Sequence, residues 1–192
     1  MSTLARRQKS MSRKYIVFII VTVLFTLFDQ LTKLWVTNNI RYRIDEIEVI
    51  PGFLSFVHAQ NRGAAFGIMQ GQMLLFAIFT VVALVMLGQM LWQLEPEDRF
   101  QSFALGLIGS GAIGNGIDRA YKQSVTDFIR VYTEHPGISA WLRENVGTTE
   151  WPSFNIADAA IVTGLLMFLF YYLFLEKDAE DLEPDTPTLI EE

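Results

Sequence analysis

Four apolar stretches separated by polar segments set the frame of this chain. Tyr15 to Val36 is a 22-residue run, free of charged and amide side chains as far as Phe28. As a helix it covers roughly 33 Å, enough for hydrocarbon about 30 Å thick. The second stretch, Met73 to Trp92, ends in the acidic turn Glu95-Pro96-Glu97-Asp98. The third, Gln101 to about Ile117, is glycine-rich but carries no charge, and Gly106, Ser110 and Gly114 recur every fourth residue as a small face for close helix packing. Ala159 to Leu175 is a fourth run without charge. Between the first two runs the period changes to two: Glu46 to Ile50 and Phe53 to Val57 flank Pro51-Gly52, the pattern of a small hairpin or cradle. Ile138, Trp141, Leu142 and Val146 fall at helical spacing and predict a short amphipathic helix in the membrane interface.

The pattern predicts an all-α membrane protein with four transmembrane helices (about 15–36, 73–92, 101–117 and 158–175), a small extracytoplasmic hairpin or cradle and one interfacial helix. A composition of 51% hydrophobic residues agrees with a membrane class. A cleaved signal peptide is the rival reading of the first run, but no small-residue cleavage site follows its core. Without cysteine, the chain has no disulfide, thiolate metal site or cysteine nucleophile, and two histidines do not suggest a His-rich metal site. The net charge of −6 is unevenly distributed: residues 1–14 form a basic tail, and residues 176–192, with eight acids and one lysine, an acidic tail expected to be disordered. Lys and Arg divide equally between the two predicted sides. The basic cluster abutting the first helix nevertheless predicts cytoplasmic N- and C-termini.

With that topology the polar side chains of the spans collect at the outer edge: Asp29, Lys33, Asn61, Asn115, Asp118, Arg119, Asp127, Asn155 and Asp158. Asp29 and Lys33 stand at i and i+4, in the favourable order for an ion pair. Asn115 and Arg119 share a face. Two carboxylates meeting in a desolvated pocket cannot both ionise, so one keeps its proton, and such a dyad can activate water and protonate a carbonyl or leaving amine. There are structural readings too. Asn155 followed three residues later by Asp158 has the form of a capping box, and Asp127 could be a solvated loop charge. Carboxylates near spans also suit a small proton- or ion-coupled transport subunit, although no acid or base continues such a relay through the inner half of a span. A non-catalytic scaffold would leave the outer polar cluster unexplained.

Five segments in order resemble the signal peptidase II family of bacterial membrane aspartic peptidases: Asp29-Gln30 with Lys33, Asn61 to Gly67, Gly114 to Arg119, Thr126 to Ile129, and Phe154 to Ala159. The resemblance spans residues 15–175. It implies an inner-membrane endopeptidase that cleaves prolipoproteins before a diacylglyceryl-modified cysteine, with no cofactor, metal or nucleic acid, and inhibition by globomycin-like cyclic peptides. By the same resemblance Asp127 and Asp158 are the catalytic pair. Asn61, Gly63, Asn115, Arg119 and Asn155 contact substrate or inhibitor, and Asp29, Lys33 and Asp118 support the site. The 28 positions from Asp127 to Asn155 exceed the family's usual spacing, which marks the segment around Trp141 as an insertion.

Overall fold

A computed structural model describes residues 12–63 and 72–175. In chain order it comprises α1 (Arg13–Asn39), β1 (Glu46–Ile50), β2 (Leu54–Asn61), α2 (Met73–Gln93), α3 (Arg99–Lys122), β3 (Val125–Val131), α4 (Pro136–Asn145) and α5 (Ile156–Phe170), the last continued by a π-helical turn, Tyr171–Leu175. The basic residues before Ser12, the Ala64 to Gly67 half of the glycine segment and the acidic tail lie outside the described residues.

Among the described residues, three helices are long and apolar enough to cross a membrane: α1, α2, and α5 with its π turn. The third apolar run forms α3, which has the length, at 24 residues, but not the apolarity. Its position accounts for this. α3 packs against α1, α2 and α5 and is the most enclosed helix, while the other three turn large residues such as Leu24, Val81 and Leu166 outward. Small residues, which permit close approach, replace bulky ones on such an enclosed helix. A Cβ on Gly106 would lie 2.9 Å from that of Val21, and one on Gly114 would lie 2.6 Å from Asp29 Oδ2. The four-residue repeat therefore marks the α1 contact. The α5 contact uses Gly111 and, from the other side, Gly164, whose added Cβ would fall 2.6 Å from the Ala104 carbonyl oxygen.

The expected hairpin is β1–β2, antiparallel, with Ile47 opposite Phe56. It is not isolated, and the fold is not all-α. β3 adds to β2, pairing Asn61 with Val125 and Ala59 with Asp127, to give a three-stranded sheet in the order β1-β2-β3. Val125, Phe128 and Ile129 supply the β-branched and aromatic residues that suit a pleated surface. Phe128 packs with Val36 and Ile40 and with Phe56 and Ile156, seating the sheet on the end of α1. The segment read as a loop thus carries Asp127 on a buried strand. The predicted amphipathic helix is α4, which buries no residue and leaves Ile138 and Trp141 exposed.

Replacing Gly164 with alanine is expected to destabilise the bundle by about 1–3 kcal/mol through overpacking against α3. Gly88 has open space around it, so Gly88→Ala should be neutral or stabilise by up to about 1 kcal/mol. Thermal unfolding of the two variants in detergent checks the pair.

Candidate active site

The site lies where three backbone segments converge: the last turns of α3, strand β3 and the start of α5. α5 begins with a reciprocal cap. Asn155 Oδ1 accepts the N–H of Asp158 at 3.0 Å, and Asp158 Oδ2 accepts the N–H of Asn155 at 3.2 Å. The capping box expected from spacing is present, and it settles the orientation of the Asn155 amide: with its oxygen on the helix end, its NH2 faces away. That NH2 donates to Asp127 Oδ1 at 2.7 Å.

A second asparagine does the same for the other carboxylate. Lys33 donates to Asn115 Oδ1 at 3.1 Å, and an ammonium can only donate, so the NH2 of Asn115 points to Asp158 Oδ1, 2.7 Å away. The two amides also meet, Asn155 Nδ2 lying 3.3 Å from Asn115 Oδ1. Asp127 and Asp158 are thereby joined through Asn155 and Asn115, although they come from different elements.

Both carboxylates line one cavity of about 590 Å³, together with Asn61, Gly63 and Arg119. Asn61 also turns its side-chain oxygen to the Gly63 N–H at 2.9 Å. The Arg119 guanidinium sits 4.6 Å from the centre of the Phe76 ring. Asn115 and Asn155 stand behind the aspartates. Asp29, Lys33 and Asp118 are deeper still, with Lys33 paired to Asp29 at 2.8 Å and to Asp118 at 3.4 Å. The residues expected from the sequence thus lie in one contiguous group, but Asn115 and Asn155, expected to contact substrate, are buried and do not line the cavity.

Sequence reasoning missed the apolar wall formed by Trp151, Pro152, Phe154, Ile161 and Val162. Residues 150–154 run beside β3: the Phe154 carbonyl accepts the N–H groups of Phe128 and Ile129, and the Trp151 N–H donates to the Val131 carbonyl. The Trp-Pro pair just before Phe154 was the available signal. Arg130 was missed too. It holds Glu150 at 2.7 Å and Glu46 at 2.8 Å, fixing the segment after α4 to the sheet.

Asp127 is 4% exposed. Burial, reinforced by the charge of Asp158, raises its pKa from the ordinary 3.8 to about 7, while hydrogen bonds from Asn155 and Asn61 and the charge of Lys33 oppose the rise. The folded state therefore holds this proton more tightly than the unfolded chain. Stability is retained at low pH, falls as pH rises from about 4 to 7, and carries the full cost of the buried charge above that. Asp127→Asn should raise the melting temperature at pH 8 by on the order of 5–10 °C, with no gain below pH 4, as measured by thermal unfolding across pH.

A sequence profile for the family described as "Signal peptidase (SPase) II" matches residues 21–174. The chain is 36% identical to the lipoprotein signal peptidase of Maridesulfovibrio salexigens over 165 residues, covering 83% of this chain and 97% of that one. It is 34% identical to the one from Geobacillus kaustophilus, covering 77% and 86%. Two solved structures described as "Bacterial membrane enzyme structure by the in meso method" superpose with TM-scores of 0.71 and 0.68, each at 32% identity. The first covers 86% of this chain and 91% of its own. The profile match over most of the chain and the near full-length relatives make this protein a member of the signal peptidase II family.

Proposed function

We propose that this chain is an aspartic endopeptidase that removes signal peptides from prolipoproteins whose cysteine carries a diacylglyceryl group, with Asp127 and Asp158 as the catalytic pair. The family and its relatives named lipoprotein signal peptidase support the peptidase. The observation that carries the catalytic assignment is the pairing of the two carboxylates through Asn155 and Asn115 at the wall of one cavity.

In this reading a water lies between the two side chains. Asp158, which accepts two hydrogen bonds in its capped position, takes a proton from the water as it attacks the carbonyl before the lipidated cysteine. Asp127 supplies its own proton to the carbonyl oxygen; as the C–N bond breaks, Asp158 passes the proton it took to the cysteine nitrogen and Asp127 recovers one from the diol hydroxyl, which restores both side chains. The Asn155 and Asn115 amides keep both carboxylates aimed during the exchange. Asn61, Gly63 and Arg119 contact the extended peptide, and the apolar wall takes the uncharged flanks of the cleavage site. Globomycin-like cyclic peptides would occupy the same cavity.

The proposed topology has four spans, with α3 crossing inside the cover of the other three, the termini in the cytoplasm and the site at the outer face of the inner membrane. A transport role is disfavoured by the polar groups themselves. Lys14, buried near the opposite end, caps the Trp92 and Leu94 carbonyls rather than extending a relay from Asp127.

Asp127→Asn and Asp158→Asn should each reduce cleavage of a diacylglyceryl prolipoprotein by about 10³-fold or more, followed by gel shift. Full cleavage by either would sink the dyad. In the wild type kcat/KM should fall above a pH near 7, as Asp127 loses its proton.

A further inference from the structure

One buried ammonium reaches both halves of the dyad. Lys33 has no exposed surface, and its three donors face three acceptors: Asp29 Oδ2 at 2.8 Å, Asn115 Oδ1 at 3.1 Å and Asp118 Oδ2 at 3.4 Å. Each acceptor continues to the site by a separate route. Asp29 Oδ1 accepts the N–H of Ala157, the residue before Asp158, at 2.9 Å. Asp118 Oδ2 accepts the N–H of Thr126, the residue before Asp127, at 3.0 Å. Asn115 carries the third route to the Asp158 carboxylate itself.

The two backbone contacts have the same form. In each, a buried carboxylate bound to Lys33 holds the peptide N–H immediately before a site aspartate, which fixes where that aspartate's Cα and side chain emerge. The start of α5 and β3 also meet directly, through Phe154 paired with Ile129 and the Asn155 amide on Asp127, and the Lys33 contacts add a second tie just before each aspartate. We propose that Lys33 is a positioning residue for the peptidase reaction, setting Asp127 and Asp158 in register with each other through Asp29, Asp118 and the Asn115 amide. The inference rests on the peptidase reading above.

A purely stabilising role would make different demands. A buried ion-pair cluster can often be exchanged for apolar side chains without loss of stability, but no apolar group can present three donors to three acceptors or dictate which way Asn115 turns. Arginine would not substitute, because its planar fork spreads its donors differently. The lysine also acts through its charge. Asp127 is faced by Lys33 from α1 and by Asp158 from α5, with Arg119, Asp118 and Lys122 of α3 nearby, and Lys33 is among the groups that favour its ionised form. Removing the ammonium therefore makes Asp127 hold its proton to higher pH.

The test compares Lys33→Met, Asp29→Asn and Asp118→Asn with the wild type in detergent, reading prolipoprotein cleavage and the exchange of individual backbone amides. Lys33→Met should lower kcat about 100-fold or more with KM changed less than about threefold, and move the alkaline limb of the residual activity upward. Exchange should quicken by about tenfold or more at both Ala157 and Thr126 in Lys33→Met, at Ala157 alone in Asp29→Asn, and at Thr126 alone in Asp118→Asn. A folded Lys33→Met protein with wild-type kcat and pH profile overturns the proposal, as does one that keeps both amides protected. If that variant does not fold, wild-type kcat in both asparagine variants overturns it. A wild type that cleaves no prolipoprotein refutes the peptidase reading instead, while amide exchange still reports whether Lys33 holds the two segments.

Discussion

Hydrocarbon gives a charge no solvent, so polar side chains brought to the edge of a helical bundle must satisfy one another. Here the requirement is met around the Lys33 ammonium, and much of the remaining architecture follows from it. Asp29 can reach Lys33 because they stand one turn apart on α1, and Asp118 and Asn115 can reach it only because α3 lies close to α1. That closeness depends in turn on Gly114, where any side chain would collide with the Asp29 carboxylate. The small face of α3 is therefore part of the electrostatics of the site as well as its packing.

The same economy appears one layer out. Asn155 caps α5 with its oxygen and holds Asp127 with its nitrogen, so the interaction that starts the helix also links it to the sheet. An alanine there would lose a cap contribution of about 1 kcal/mol and at the same time release Asp127. The cap expected from the Asn155 to Asp158 spacing and the link to Asp127 are two uses of one amide.

The helices were legible because hydrocarbon imposes a length and an apolarity that a sequence shows directly, as in α1 and α2. α3 was harder, since an enclosed helix needs small residues rather than greasy ones, and its boundary at Lys122 extends well past the apolar run. β3 was not legible. Ser124-Val125-Thr126-Asp127 has no clear alternation, because the strand is buried on both faces by partners far away in sequence, a tertiary effect that local pattern does not carry. Candidate site residues could be named because five short motifs keep their order. Their connectivity could not, since which way Asn115 turns depends on Lys33 having only donors and which way Asn155 turns depends on the cap it forms. The wall from Trp151 to Phe154 escaped notice because apolar lining has no distinctive residue chemistry.

Asp158 sits on α5, which follows every other element of the site in chain order. A ribosome delivers Asp29, Lys33, Asn61, Asn115 and Asp127 before the second carboxylate exists. Until α5 enters beside α3, Asp29 has no Ala157 amide to hold and Asp127 has neither Asn155 nor Asp158 beside it. Arrival of that helix is thus the event that completes the site, and a partly translated chain has no Asn155 or Asp158 to join to Asp127.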